Sequence, residues 1–170
     1  MRLILIRHGE VAYGPGDGPG SDVPLTPTGA LSATRLGERL EAAGRTDRAP
    51  VCLVSPQLRA LQTAERVQRA AAYPDFLPEP ALTEIGSIEG ESLDEGLVRV
   101  DDTLERLAQR YADETVIAVS HAGFIMGTLL TLLRIPVHNR RARLEPDFLS
   151  MTEWSSTDGN WVLRYYNVRV

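Results

Sequence analysis

Among 170 residues only three imidazoles are available, His8, His121 and His138, and all 18 basic residues are arginine. Two of the histidines sit in short polar clusters directly after apolar runs. Arg7-His8-Gly9-Glu10 follows Leu3 to Ile6, and Ser120-His121-Ala122-Gly123 follows Val116 to Val119. A third such exit, Ser55-Pro56-Gln57-Leu58-Arg59, follows Val51 to Val54. The planar guanidinium fork matches the oxygens of a phosphoryl group, and a helix opening near Arg59 adds backbone N–H donors. With no lysine, no reactive-cysteine motif and no G-x-S-x-G elbow, the nucleophile beside such a group is an imidazole. His8 is the better placed, because neighbouring positive charge disfavours its protonated form and leaves a lone pair free. His121 then donates to an equatorial oxygen. Breaking a P–O ester bond also needs a proton donor, for which the irregular stretch from Leu82 to Gly90 offers Glu84 and Glu89.

These side chains meet only if the elements bring them to one edge. Arg2 to Arg7, Val51 to Val54 and Thr115 to Ser120 read as buried strands. Thr26-Pro27 marks a helix start running to about Ala43, Ser55-Pro56 a second, and Ser92 with Glu95 a capping box ahead of the heptad-like series Leu93, Leu97, Val100, Leu104, Leu107 and Tyr111. The chain between Tyr73 and Gly90 reads as irregular, and Ala122 to Arg134 as a buried helix. Phe148 to Trp154 and Trp161 to Asn167 pair as a hairpin across Asp158-Gly159. Strands and helices alternate, so the fold class is α/β with a mostly parallel central sheet, and the carboxyl ends of its strands gather the ligand-binding residues. No linker or internal repeat divides residues 1–170, which read as one domain.

Composition narrows the function further. A net charge of −5 and a pI near 5.2 exclude a general nucleic-acid binder, which needs a basic face. Lysine Schiff-base and P-loop chemistry are excluded with lysine itself. The single cysteine, Cys52, excludes an internal disulfide or multi-cysteine zinc site and reads as a core residue. The only long apolar stretch, Val116 to Leu133, is interrupted by Ser120, His121 and Gly123, so no membrane span is expected. A cytoplasmic location is the expectation.

In this order the motifs resemble the histidine phosphatase superfamily, whose fold is phosphoglycerate-mutase-like. The likeness runs from Arg7-His8-Gly9-Glu10 through Pro24-Leu25-Thr26 with Gly29, Ser55-Pro56 with Arg59, Gln62, Thr63 and Ala64, and Leu82 to Gly90, to Ser120-His121-Ala122-Gly123. It implies a three-layer α/β/α sandwich. It also implies His8 as the phosphorylated nucleophile, Arg7, Arg59 and His121 as the phosphate pocket with it, Glu84 as the proton donor, and neither metal nor organic cofactor. The activity implied is that of a phosphoric monoester hydrolase working through a phosphohistidine on a small phosphorylated substrate or a phosphoprotein. Alternatives are a phosphohistidine-protein phosphatase, a phosphoglycerate-type mutase and a non-catalytic phosphate-binding module.

Some positions depart from the family pattern. Val11 and Gly14 stand where threonine and asparagine are common, Glu84 is unusually near Glu89-Gly90, and Ile88 replaces an aromatic residue. One helix accounts for most of the chain between Gly90 and Thr115, so the cap is reduced and the site is expected to be open. Glu10 is read as orienting its neighbours, Glu89 as solvating a turn, and the segment from Gly14 to Gly20 as a mobile loop. Asp94, Glu95, Asp101 and Asp102 read as a solvated helix face rather than metal ligands. His138, Arg140, Arg141 and Arg143 read as an exposed basic loop.

Overall fold

Successive residues of a strand face opposite sides of a sheet, so Leu3-Ile4-Leu5-Ile6 and Val116-Ile117-Ala118-Val119 must be covered on both faces. The computed structural model, which describes residues 1–44, 48–137 and 144–169, meets that demand with helices on either side of one six-stranded sheet. In chain order the elements are β1 (Arg2–Arg7), α1 (Pro27–Ala42), β2 (Val51–Val54), α2 (Leu58–Ala71) and β3 (Leu77–Pro78). A 3-10 turn (Pro80–Leu82) precedes α3 (Leu93–Arg110), β4 (Thr115–Ser120), α4 (Ala122–Leu132), β5 (Met151–Thr157) and β6 (Asn160–Val168). The spatial strand order is β3-β2-β4-β1-β5-β6, with the first four parallel and the last two antiparallel. His138, Arg140, Arg141 and Arg143 lie outside the described residues.

The two sheet faces carry separate cores. Leu3, Leu5, Val116 and Ala118 pack with Val100, Leu104 and Leu107 of α3 and with Phe124, Ile125 and Leu129 of α4. Ile4, Ile6, Ile117 and Val119 pack instead with Leu36 of α1 and Ala60, Ala64 and Val67 of α2. This is the expected three-layer α/β/α sandwich. Its starts and stops follow local chemistry. Thr26 accepts the Gly29 N–H at 2.9 Å with Pro27 in the first helical turn, and Ser92 and Glu95 exchange both bonds of a capping box. Asp158 and Gly159 have φ of 50° and 78°, the two left-handed positions that a tight hairpin turn requires.

Three expectations need correction. Ser55-Pro56 does not open α2, which starts at Leu58 after Gln57, and Gln57 makes no capping bond with its own side chain. Asp22, from a distant loop, accepts the Leu58 N–H at 3.0 Å instead. The buried stripe of α2 is Arg59, Ala60, Thr63, Ala64, Val67 and Ala71, while Leu61 faces solvent. The stretch between Tyr73 and Gly90 is not wholly irregular, since β3 extends the sheet there; Pro78, which cannot donate to a ladder, is tolerated at that edge. Finally, β5 begins at Met151, because Leu149 with φ of 59° breaks the extended backbone before it.

The topology creates the crevice. Parallel neighbours β1 and β4 are in register from Arg2 opposite Thr115 to Arg7 opposite Ser120, yet the chain leaves β1 toward α1 on one face and β4 toward α4 on the other. Adjacent strands that diverge this way leave a cleft at their carboxyl ends. Only α3 occupies the chain between Gly90 and Thr115, and among the described residues no helix is long and apolar enough to cross a membrane.

Candidate active site

At the cleft the ladder continues one residue past each strand. The His8 N–H donates to the Ser120 carbonyl at 2.9 Å and the Ser55 N–H to the Val119 carbonyl at 3.0 Å, which levels the three strand exits. Gly9 donates its N–H to the Thr63 hydroxyl, and Gly29 lies so close to Glu10 that a Cβ there would sit 2.4 Å from the Glu10 carbonyl oxygen. Glu10 accepts the Thr26 hydroxyl at 2.8 Å, so it orients the start of α1 as expected. The turn that presents His8 is thereby clamped between α1 and α2.

His8 Nδ1 lies 2.8 Å from the Gly9 carbonyl, which only accepts, so the proton of the neutral ring is on Nδ1 and Nε2 carries the lone pair. The Arg59 Nε–H points at that lone pair from 3.3 Å. Burial, followed by the charges of Arg59 and Arg7, overcomes the Gly9 bond and pushes the His8 pKa down to about 3. His121 packs at 5.1 Å between ring centroids, and its Nε2 is 2.7 Å from the Ser55 hydroxyl. Its pKa is also held well below the ordinary value, chiefly by burial and then by His8 and the arginines. Arg7 donates to the Pro146 carbonyl, and its guanidinium lies over the Phe148 ring at 4.0 Å. Among the described residues, Arg7 Nε and His121 Nδ1 are buried polar atoms with no hydrogen-bond partner.

Glu84 closes the arrangement from the opposite face. Its carboxylate accepts the N–H groups of Ile85 at 2.9 Å and of Gly123 and Phe124 at 3.1 Å each, so it rests on the N-terminus of α4. Gly123 is required by close approach: a Cβ there would stand 2.3 Å from Glu84 Oε1. Burial outweighs these donors and Arg59, leaving the Glu84 pKa raised. Glu89 is exposed. His8, Arg59, His121 and Glu84 therefore share hydrogen-bonded or packed surroundings at one strand edge, joined by Arg7 through Phe148, whose ring is 5.6 Å from that of His8.

The expected open site is not what the burial shows. His8 is 2% exposed and Arg59 and His121 are each 0% exposed. The cover comes from the segment read as a mobile loop. Arg59 donates to the carbonyls of Pro19 at 2.8 Å and Ser21 at 2.9 Å, Gln57 donates to Pro19 at 2.9 Å, and Gly20 packs on Ser87. Carbonyl acceptors have no signature in side-chain type, so this tether was invisible to motif reading.

A family model described as the histidine phosphatase superfamily (branch 1) matches residues 3–90 and 83–169. The chain belongs to the histidine phosphatase superfamily. A metal-independent phosphoserine phosphatase of Arabidopsis thaliana is 26% identical over 165 residues, covering 76% of this chain and 68% of that protein. Among solved structures, YhfR of Bacillus stearothermophilus superposes with a TM-score of 0.83 at 22% identity, over 99% of this chain and 98% of that one. Phosphoserine phosphatase of Entamoeba histolytica, a mutant in complex with phosphoserine, gives 0.77 at 21% identity over 98% and 96%. A mycobacterial glucosyl-3-phosphoglycerate phosphatase gives 0.78 at 22% identity over 99% of both chains.

Two residues of this histidine phosphatase escaped motif reading. The Ser-Pro pattern points to a helix cap at Ser55, whereas its hydroxyl meets His121 Nε2 at 2.7 Å. Gln57 carries no motif signal, yet its amide oxygen accepts the Glu84 N–H at 3.1 Å while its amide nitrogen donates to the Pro19 carbonyl at 2.9 Å. Among the described residues of the phosphatase, no group of three or more His, Cys, Asp or Glu side chains is disposed to hold a metal ion.

Proposed function

We propose that this histidine phosphatase hydrolyses small phosphomonoesters without a metal, through a phosphohistidine on Nε2 of His8. The observation that carries the reading is the Nδ1–H bond to the Gly9 carbonyl, which commits the ring to the tautomer whose Nε2 is nucleophilic and faces Arg59. Arg7, Arg59 and His121 bind the non-bridging oxygens. Nε2 attacks phosphorus, the ester P–O bond breaks, and its electron pair leaves on oxygen, where the Glu84 carboxyl delivers a proton. The Glu84 carboxylate then takes a proton from water as the water oxygen attacks phosphorus. The N–P bond breaks with its pair returning to Nε2, and phosphate departs.

The phosphoserine phosphatases among the relatives make phosphoserine the first ester to assay. Burial of His8 behind the loop from Gly14 to Ser21 favours a small substrate over a phosphorylated protein side chain. A short incubation with phosphorus-labelled substrate, quenched in base, tests the route. Label is expected on His8 as an acid-labile, base-stable adduct, absent in His8→Ala, with turnover unaffected by exhaustive chelation. Label on a carboxylate or hydroxyl, or activity that a divalent ion must restore, overturns it.

A further inference from the structure

Strand alternation places a charged cluster on the sheet face beneath α1 and α2. Ile4, Glu153 and Tyr165 stand opposite one another on β1, β5 and β6, and Arg2 lies two residues before Ile4 on the same face. Glu153, 8% exposed, accepts an N–H of Arg2 Nη2 at 2.8 Å. The Tyr165 hydroxyl stands beside both, and burial followed by the Glu153 charge pushes its pKa up to about 12, so it keeps its proton. The proposed reaction uses none of the three. Arg2 and Tyr165 line a cavity of about 530 Å³ whose floor continues as Ile4, Ile117 and Met151. Its other wall is the ends of α1 and α2. At Gly37 these helices are in such close contact that a Cβ would stand 2.7 Å from Ala70 Cβ, but farther along the small residues Ala43, Gly44 and Ala72 leave the space above the sheet unfilled. Arg2 and Thr115 are the first residues of β1 and β4, so the cavity lies at the amino ends of the strands, the far end of the sheet from His8, Ser55 and His121.

We infer that this cavity is a second ligand site, which takes a monocarboxylate with an extended apolar body, its carboxylate on Arg2 and Tyr165 and its hydrocarbon over Ile4, Ile117 and Met151. Charge selects the anion: both charged residues that line the cavity, Arg2 and Arg48, are cations, in a protein whose net charge is −5. The Arg2 side chain remains 43% exposed while paired to Glu153, so a guanidinium fork already oriented by one carboxylate can donate to another. The apolar floor selects the body. A compact polyanion would leave it uncovered, whereas a hydrocarbon chain removes it from water, and apolar walls with a few convergent polar groups are the make-up of a small-molecule site. The floor crosses β4, β1, β5 and β6, three strand spacings or about 14 Å, which holds an extended chain of about eight to ten carbons. The carboxyl ends of α1 and α2 carry partial negative charge, which keeps the carboxylate on the sheet side.

The test titrates octanoate, labelled with carbon-13 at its carboxylate, into the whole chain and follows that resonance. One saturable site per chain is expected. Octanol should displace octanoate only at about tenfold higher concentration, the size of a charged hydrogen bond, and octyltrimethylammonium should not displace it. Arg2→Gln should weaken octanoate binding by about tenfold, while Arg2→Lys, which keeps a cation beside Glu153, should retain most of it. Thr115→Leu fills the cavity from β4 without changing any charge and should abolish binding, so the site is decided even if Arg2→Gln does not fold. Hydrolysis of p-nitrophenyl phosphate should be unchanged in Thr115→Leu. Displacement by octanol as readily as by octanoate, or octanoate binding that survives Thr115→Leu, overturns the site. Displacement by inorganic phosphate also overturns it, because the carboxylate would then sit on the arginines at His8. Failure of the wild type to hydrolyse p-nitrophenyl phosphate would count against the phosphatase reading and leaves this binding measurement intact.

Discussion

Glu84 is pulled in two directions, and the balance determines what it does. The Gly123 and Phe124 N–H groups at the start of α4, with the Ile85 N–H, favour its carboxylate, whereas burial favours the neutral acid and prevails, so its pKa is raised. A proton donor matters most for a poor leaving group. Glu84→Gln is therefore expected to slow alkyl phosphate hydrolysis by about 10²-fold or more and p-nitrophenyl phosphate hydrolysis far less. Gly123→Ala should reproduce that split, since the added methyl would occupy the place of Glu84 Oε1. Equal losses on both esters would remove Glu84 from the role of acid. The sequence left Glu84 and Glu89 side by side as candidates, and only the family likeness chose between them. The physical distinction, a seat on the N-terminus of a helix that begins 38 residues later, is a long-range contact with no local signal. Arg7, His8 and His121 are legible for the opposite reason: each sits at or directly after the end of a strand whose apolar run announces it, and Arg59 follows β2 on the first turn of α2.

At the scale of elements, the strands buried on both faces were the most readable parts, because Leu3 to Ile6 and Val116 to Val119 admit few other placements. The least readable was the start of α2. Ser-Pro is an ordinary helix opening, but Ser55 is committed to His121, so the first turn is displaced to Leu58 and its N–H is capped by Asp22. The edge strand β3 was missed because two exposed residues, one of them proline, give no alternation to detect. This displaced start gives Gln57 its reach: one amide ties the α2 entrance to the backbone of Glu84 and to the loop carbonyl of Pro19. Gln57→Leu is near in volume and removes both bonds. It should lower kcat on alkyl esters more than on aryl esters, as Glu84→Gln does, with Gln57→Asn recovering less than the wild type but more than leucine. Asp22→Ala, by contrast, removes only a cap and should cost about 1 kcal/mol in urea unfolding. A Gln57→Leu enzyme that loses stability but keeps its leaving-group profile would assign this side chain to folding alone.

For the whole molecule, holding two imidazoles neutral in the core links the site to stability. His8 and His121 have an ordinary pKa of 6.5 in the unfolded chain, and in the fold that of His8 falls to about 3 and that of His121 well below normal. As pH drops below 6.5 the unfolded chain takes up two imidazole protons that the folded chain refuses, so stability falls. Each proton is worth about 1.4 kcal/mol per pH unit. Glu84 acts in the other direction, because its raised pKa lets the fold keep a proton that the unfolded carboxyl releases above 4.5. Where all three act, the fold therefore lacks one net proton, the difference between two imidazoles and one carboxyl. Below 4.5 a further loss begins, since Glu91, whose pKa is lowered by its hydrogen bonds from Arg99, stabilises the fold only while ionised. Urea midpoints measured from pH 7 to pH 5 should fall, more steeply in Glu84→Gln and less steeply in His8→Asn. A flat wild-type profile, or an unchanged slope in His8→Asn, would mean that His8 is charged in the fold, and its Nε2 would then carry a proton and no lone pair with which to attack phosphorus.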